Sequence, residues 1–256
     1  MDITLAICQL RPTPGSPSEN ARTILDIIES DRADVMVFPE MFLTGYGSCT
    51  DRLEEEVGQS LGMISDSCRD HDKAVCVGTP RFGSDGLYNS LAFLSPDGDT
   101  YYDKTHLARF GIYSEDEFSE GRGPATGSYH GIRFGMCVCY DIFFPEILHG
   151  CSLGGSSVNI CIAASAVQSK RYFDTILPAR ALENVTYLAF VNNVGEMNGC
   201  EMHGCSRILD PFGDAVAKCG TDECIITTVI RQETLDEARR VRRHLENYRT
   251  DVDWGV

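Results

Sequence analysis

Short apolar runs rich in β-branched residues recur along the whole chain, and Gly, Pro, Asn and Asp residues separate them. Runs of this length and composition are typical of β-strands. The pattern predicts about eleven strands, at Ile3–Gln9, Val35–Phe38, Ala74–Gly78, Asn89–Leu94, Thr100–Asp103, Gly131–Cys139, Ser157–Ala163, Tyr187–Asn193, Gly204–Leu209, Ala215–Ala217 and Cys224–Ile230.

Amphipathic patterns with helical spacing fill the larger gaps between these runs. They predict helices at Asn20–Asp31, Arg52–Asp70, Pro145–Leu153, Tyr172–Asn184 and Glu233–Tyr248. Strands and helices alternate early in the chain, whereas the turn sequences at 96–98 and 210–213 mark hairpins. The chain is therefore predicted to form a mixed α/β fold built in layers.

No Pro/Ser-rich linker, composition break or internal repeat divides the 256 residues, so we expect a single domain over residues 1–256. The segment Ser114–Gly127 is acidic and contains Gly and Pro. It is predicted to be a long surface loop of about fourteen residues, a length at which loops are often functional.

The charge balance excludes some classes of partner. The chain has 22 Lys and Arg against 38 Asp and Glu, a net charge of −16, which disfavours nucleic acid and anionic membranes as partners. The N-terminal sequence lacks the basic segment of a signal peptide, and the longest apolar run, Val158–Val167, is too short to span a bilayer. We therefore expect a cytoplasmic protein without a membrane segment.

Twelve cysteines are many for such a chain, and most are expected to be buried, reduced thiols. Four of them lie symmetrically about the turn at residue 212: Cys200, Cys205, Cys219 and Cys224. In a simple hairpin these would pair across the strands. Three interpretations stay open at this point, namely reduced packing cysteines, cross-strand disulfides and a four-thiolate zinc site.

Three chemically active side chains follow predicted strands. Glu40 stands just past an apolar strand among aromatic residues, where desolvation raises a carboxyl pKa and suits it to general-base catalysis. Lys104 follows another strand and could stabilise a developing oxyanion. Cys139 stands where a strand passes into a helix opened by Pro145, and we expect nearby N–H groups and the helix dipole to lower its pKa.

The three segments together resemble the nitrilase superfamily of carbon–nitrogen hydrolases. The motifs are PEMFLTGY at 39–46, KTHL at 104–107 and CYDIFFPE at 139–146, and further matches lie at 180–184, at 204–213 and in the first strand, which ends in Gln9. The resemblance covers nearly the whole chain. It implies a four-layer α-β-β-α sandwich, a Glu–Lys–Cys triad, no metal or other cofactor, and a homodimer or higher homo-oligomer.

The resemblance also implies roles for individual residues. Cys139 is the expected nucleophile, and Glu40 is the general base. Lys104, with the backbone N–H of Tyr140, is expected to stabilise the oxyanion. A further glutamate of the family matches Glu115 best, with Glu117 as the fallback.

The expected substrate is a small amide or N-carbamoyl compound, cleaved through a thioester with release of ammonia. Tyr140 and Asp141 follow the cysteine where true nitrilases of the family usually have Trp-Glu, so an amidase is favoured over a nitrile-hydrolysing enzyme. The acyl pocket is expected to be shaped by Tyr46, Phe143 and Phe144, with the loop 165–171 at its mouth. Candidates for binding a substrate carboxylate are Lys170, Arg171 and Arg109.

Competing interpretations are weaker. The sequence at 150–154 matches the G-x-S-x-G pattern of serine hydrolases, but a helix precedes it and a strand follows, which is the reverse of a nucleophile elbow. The arginine cluster at 239–243 is interleaved with acidic residues and is expected to be a solvated or subunit-contacting face. A non-catalytic small-molecule binding protein on this fold is the remaining alternative, and it would be expected to lack triad members.

Overall fold

The computed structural model describes residues 2–48, 51–110, 114–197 and 199–252. Numbered in chain order, the strands in this part are β1 Ile3–Gln9, β2 Val35–Val37, β3 Ala74–Gly83, β4 Gly86–Leu94, β5 Thr100–Asp103, β6 Ala125–Tyr129, β7 Ile132–Val138, β8 Val158–Ala163, β9 Tyr187–Asn192, β10 Val194–Met197, β11 Cys200–His203, β12 Arg207–Leu209, β13 Ala215–Lys218 and β14 Cys224–Ile230. The helices are α1 Pro17–Ser30, α2 Glu54–His71, α3 Pro145–Leu153, α4 Lys170–Asn184 and α5 Gln232–Val241.

Two six-stranded mixed sheets form the centre of the molecule. The first has the order β14-β1-β2-β3-β4-β5 and the second β13-β12-β9-β8-β7-β6. Strands β1, β2 and β3 run parallel, as do β7, β8 and β9, and the outer strands pair antiparallel. Strands β10 and β11 form a separate two-stranded hairpin.

The alternation of side chains along the strands explains the layers. In β1, Leu5 and Ile7 pack into the core between the two sheets, whereas Ala6 and Cys8 pack against α1 and α2 on the outer face. Helices α3 and α4 cover the second sheet through residues such as Leu148 and Leu177. This arrangement is the α-β-β-α sandwich expected from the sequence, and that prediction is confirmed.

Several predicted boundaries are wrong. The end of the predicted loop Ser114–Gly127 belongs to β6, and the strand predicted over Gly131–Cys139 ends at Val138. A glycine at position 127 does not predict a strand. The close packing of the two sheets nevertheless requires it, because a Cβ there would lie 2.3 Å from the ring of Phe93 in the other sheet. Helix α5 ends at Val241 instead of Tyr248.

The hairpin of β10 and β11 was also missed, and its position changes the interpretation of the four cysteines. Cys200 lies in β11 opposite Met197, and Cys224 lies in the first sheet opposite Gln9, so these two do not face each other. All four are free thiols. The four-thiolate and disulfide interpretations therefore do not fit. In the described ranges no group of three or more His, Cys, Asp or Glu side chains could hold a metal ion.

None of the helices within the described ranges is long and apolar enough to cross a bilayer.

Candidate active site

Three strand ends bring Glu40, Lys104 and Cys139 to one place. Glu40 follows β2, Lys104 follows β5 directly, and Cys139 follows β7 directly. All three side chains are buried, with exposed fractions of 0%, 1% and 7%. The site is therefore built between the two sheets, and the first sheet supplies Glu40 and Lys104 whereas the second supplies Cys139.

Cys139 sits at a sharp backbone turn. Its φ of 48° is in the left-handed region, which costs a non-glycine residue about 1–3 kcal/mol and persists only where the surrounding structure enforces it. A short 3₁₀ helix, Cys139–Phe143, follows and leads into α3. Arg180 of α4 braces this turn, because its Nε donates to the carbonyl oxygen of Ile142 at 2.7 Å. The turn takes the thiol out of the strand and lets it line a cavity.

Lys104 is held between two carboxylates. Its Nζ donates to Oε1 of Glu40 and to Oε1 of Glu115, each at 2.8 Å. Asn89 of β4 donates from Nδ2 to the same two oxygens at 2.8 and 3.1 Å. Two carboxylates thus share one ammonium in a site that is almost fully buried. Of the two candidate glutamates, Glu115 therefore lies in this buried network, whereas Glu117 is exposed.

Further hydrogen bonds fix both carboxylates. The second oxygen of Glu40 accepts from the backbone N–H of Ala164 at 2.7 Å. Glu115 accepts from the hydroxyl of Tyr46 at 2.9 Å and from the backbone N–H of Ala108 at 2.6 Å. Because each oxygen has a donor, neither carboxylate is free to rotate, and Lys104 keeps one position.

Burial and neighbouring charge shift the titration of these groups. Burial raises the pKa of Glu40, with Lys104 opposing the rise, as the sequence predicted. Burial opposes the charge of Lys104, but the two carboxylates outweigh it and its pKa is raised well above the usual value. Burial, with Glu40 nearby, also raises the pKa of Cys139 well above its usual value. The predicted lowering at Cys139 is therefore wrong, and the thiol is neutral at rest.

Asp141 links the cysteine turn to the lysine segment. Its buried carboxylate accepts from the hydroxyl of Tyr102 at 2.7 Å and from the backbone N–H of His106 at 2.8 Å. His106 also places Nδ1 at 2.9 Å from the same carboxylate. Because Lys104 and Cys139 follow strands of different sheets, these hydrogen bonds connect the two segments that carry them.

The predicted pocket residues divide into two groups. Tyr46 and Phe143 line the cavity beside Cys139, as do Ser165 and Ser169 of the predicted mouth loop. Tyr140, whose backbone N–H is the expected oxyanion donor, also lines it. Phe144 is not among the described lining residues, because its ring stacks on His106 with centroids 3.6 Å apart.

Sequence reasoning missed Asn89, Asp141 and the start of α4 as parts of this site. Asp141 could have been found from its place in the cysteine motif, and Asn89 from its position in a strand that reads as fully buried. No sequence signal marked Tyr172 and Phe173, which reach the cavity from α4. Ser152 of the G-x-S-x-G match lies inside α3, where its hydroxyl donates to the carbonyl oxygen of Leu148 at 2.8 Å. The hydroxyl is therefore used within the helix.

Comparison with known proteins agrees with this geometry. The model of the carbon-nitrogen hydrolase family matches residues 4–240. The chain is 30% identical to 2-oxoglutaramate amidase of Bacillus subtilis over 98% of this chain and all of that protein. The fold is that of a carbon-nitrogen hydrolase from Helicobacter pylori G27, with a TM-score of 0.87, 20% identity and coverage of 98% and 97% of the two chains.

A second similar structure is a double mutant of the amidase from Nesterenkonia sp. AN1 in complex with acrylamide. It has a TM-score of 0.82 and 22% identity, with coverage of 96% and 94%. A hydrolase with a buried Glu–Lys–Glu network beside a cysteine is therefore consistent with both the fold and the sequence of this chain. The chain belongs to the carbon-nitrogen hydrolase family of the nitrilase superfamily.

Proposed function

We propose that this protein is an amidase that hydrolyses the C–N bond of a small amide through a thioester on Cys139. The observation that carries the proposal is the buried Lys104, which is ion-paired with Glu40 and Glu115 beside a cysteine at a left-handed turn. Burying three ionisable groups around one thiol costs stability, and such an arrangement is typical of catalytic sites.

The residues supply each step of an acyl transfer. Glu40 takes the thiol proton as the sulfur of Cys139 attacks the carbonyl carbon, and Lys104 with the N–H of Tyr140 stabilises the oxyanion. The C–N bond then breaks, and the proton on Glu40 passes to the leaving nitrogen. Glu40 next takes a proton from water, whose oxygen attacks the thioester. The C–S bond breaks, and the proton returns to the sulfur.

The relatives support an amide over a nitrile as the substrate. The Bacillus subtilis protein, matched over its full length, is named an amidase. The Tyr140-Asp141 pair after the cysteine favours the same choice. N-carbamoyl compounds would be cleaved by the same steps. Hydrolysis of nitriles alone, or of no compound at all, would contradict the proposal.

The test is ammonia release from a panel of primary amides, ω-amides of dicarboxylic acids, N-carbamoyl amines and nitriles. We expect release from amides by the wild-type protein and none by Cys139→Ala. Release only from nitriles, or no release from any compound, would overturn the amidase proposal. The second result would favour a binding protein.

A further inference from the structure

The cavity beside Cys139 has walls that are mainly aromatic. Its volume is about 320 Å³, and the described residues that line it include six with rings: Tyr46, Phe110, Tyr140, Phe143, Tyr172 and Phe173. Several of these rings also contact each other, with centroids of Phe110 and Tyr140 4.9 Å apart and those of Phe143 and Phe173 5.3 Å apart. Such walls favour hydrocarbon and aromatic groups of a ligand.

No unpaired cation faces this cavity. Every Lys, Arg and His of the sequence falls in the described ranges, and Lys104 alone among them lines the cavity. Its ammonium is already shared by two carboxylates. His203 lies behind Phe173, with centroids 5.8 Å apart, and burial lowers its pKa to about 4, so it is neutral at pH 7.

The cations predicted as carboxylate binders are engaged outside the cavity. Nζ of Lys170 lies 2.6 Å from the carboxylate of Asp174. Arg171 is exposed and places its guanidinium 4.7 Å from the centroid of the Tyr172 ring, within the range of a cation–π interaction. Neither is among the lining residues.

Arg109 is likewise paired with acidic side chains of the following loop. Its Nε lies 3.2 Å from Asp116, and its Nη1 lies 3.0 Å from Glu120. Together with the net charge of −16, these carboxylates make the approach to the site unfavourable for an anion.

From these walls and charges, we infer that the cavity selects uncharged amides whose acyl group carries an aromatic or branched aliphatic end, and that it discriminates against amides bearing a carboxylate. This inference rests on the proposed amidase function. A carboxylate that enters the cavity loses its hydration and contacts no unpaired cation of the described residues, whereas burial of a hydrocarbon end of equal size is favourable.

The test compares two amides of equal length and shape, glutaramate and 5-methylhexanamide, which differ in having a carboxylate or an isopropyl end. We expect kcat/KM to be at least about 100-fold higher for the neutral amide. Equal rates, or a preference for glutaramate, would overturn the inference and leave the amidase proposal intact. Calorimetric binding of both amides to Cys139→Ala gives the same comparison without turnover, and equal affinity there would also overturn it.

A second variant introduces the missing cation. Tyr172 is half exposed and lines the cavity, so Tyr172→Arg should fold, and Tyr172→Gln is the matched neutral control. We expect kcat/KM for glutaramate to be at least about 10-fold higher in Tyr172→Arg than in Tyr172→Gln. Equal values in the two variants would mean that charge in the cavity does not set the preference.

Discussion

Replacing Cys139 by alanine is expected to lower kcat/KM for amides by at least about 10⁵-fold, because none of the other described residues that line the cavity carries a thiol to form the acyl intermediate. The remaining polar groups would still bind the amide, so affinity should change little. Ammonia release measures the loss. Intact-mass analysis after rapid quenching should show an acyl adduct on the wild-type protein and none on the variant.

The matched control is Cys151→Ala, since Cys151 is a buried thiol of α3 that does not line the cavity. It should keep wild-type turnover and form the adduct. Turnover by Cys139→Ala above about 1% of wild type would remove Cys139 as the nucleophile.

The parts of this site that could be predicted are those that lie at strand ends in short motifs. Glu40 and Lys104 follow strands of the first sheet and Cys139 follows a strand of the second, so all three stand at strand ends that the sequence marks. The start of α4 could not be found in this way, because its place in the site depends on how α4 packs on the second sheet and not on any local pattern.

The direction of the Cys139 pKa shift is a second feature that the sequence could not predict. The sequence identified a turn that leads into a helix, and such a turn lowers a thiol pKa when solvent reaches it. It gave no measure of how deeply the thiol is buried or how close Glu40 lies, and these two effects dominate. Similarly, the polar sequences of β6, β10 and β11 form strands because neighbouring segments pair with them, which periodicity does not detect.

Because the resting thiol of Cys139 is neutral, a base must remove its proton before the sulfur can attack. Glu40→Gln should lower kcat/KM by about 10³- to 10⁴-fold, because an amide cannot accept the thiol proton. In the wild type only the carboxylate form of Glu40 is active and its pKa is raised, so kcat/KM should rise with pH through an apparent pKa above 4.5. That limb should be absent from the residual activity of the variant.

Stability separates this result from a folding defect. The amide keeps the shape of the carboxylate, but both oxygens of Glu40 accept hydrogen bonds in the wild type, so the amide NH₂ must face a donor, either the N–H of Ala164 or Lys104 and Asn89. Lys104 would keep its ion pair with Glu115. We therefore expect Glu40→Gln to fold with a Tm roughly 2–4 °C below that of the wild type. A variant with that Tm and wild-type turnover would show that another group takes the thiol proton. Glu115 is the one other carboxylate that accepts from Lys104 in the described network, so Glu115→Gln would be the next variant to measure.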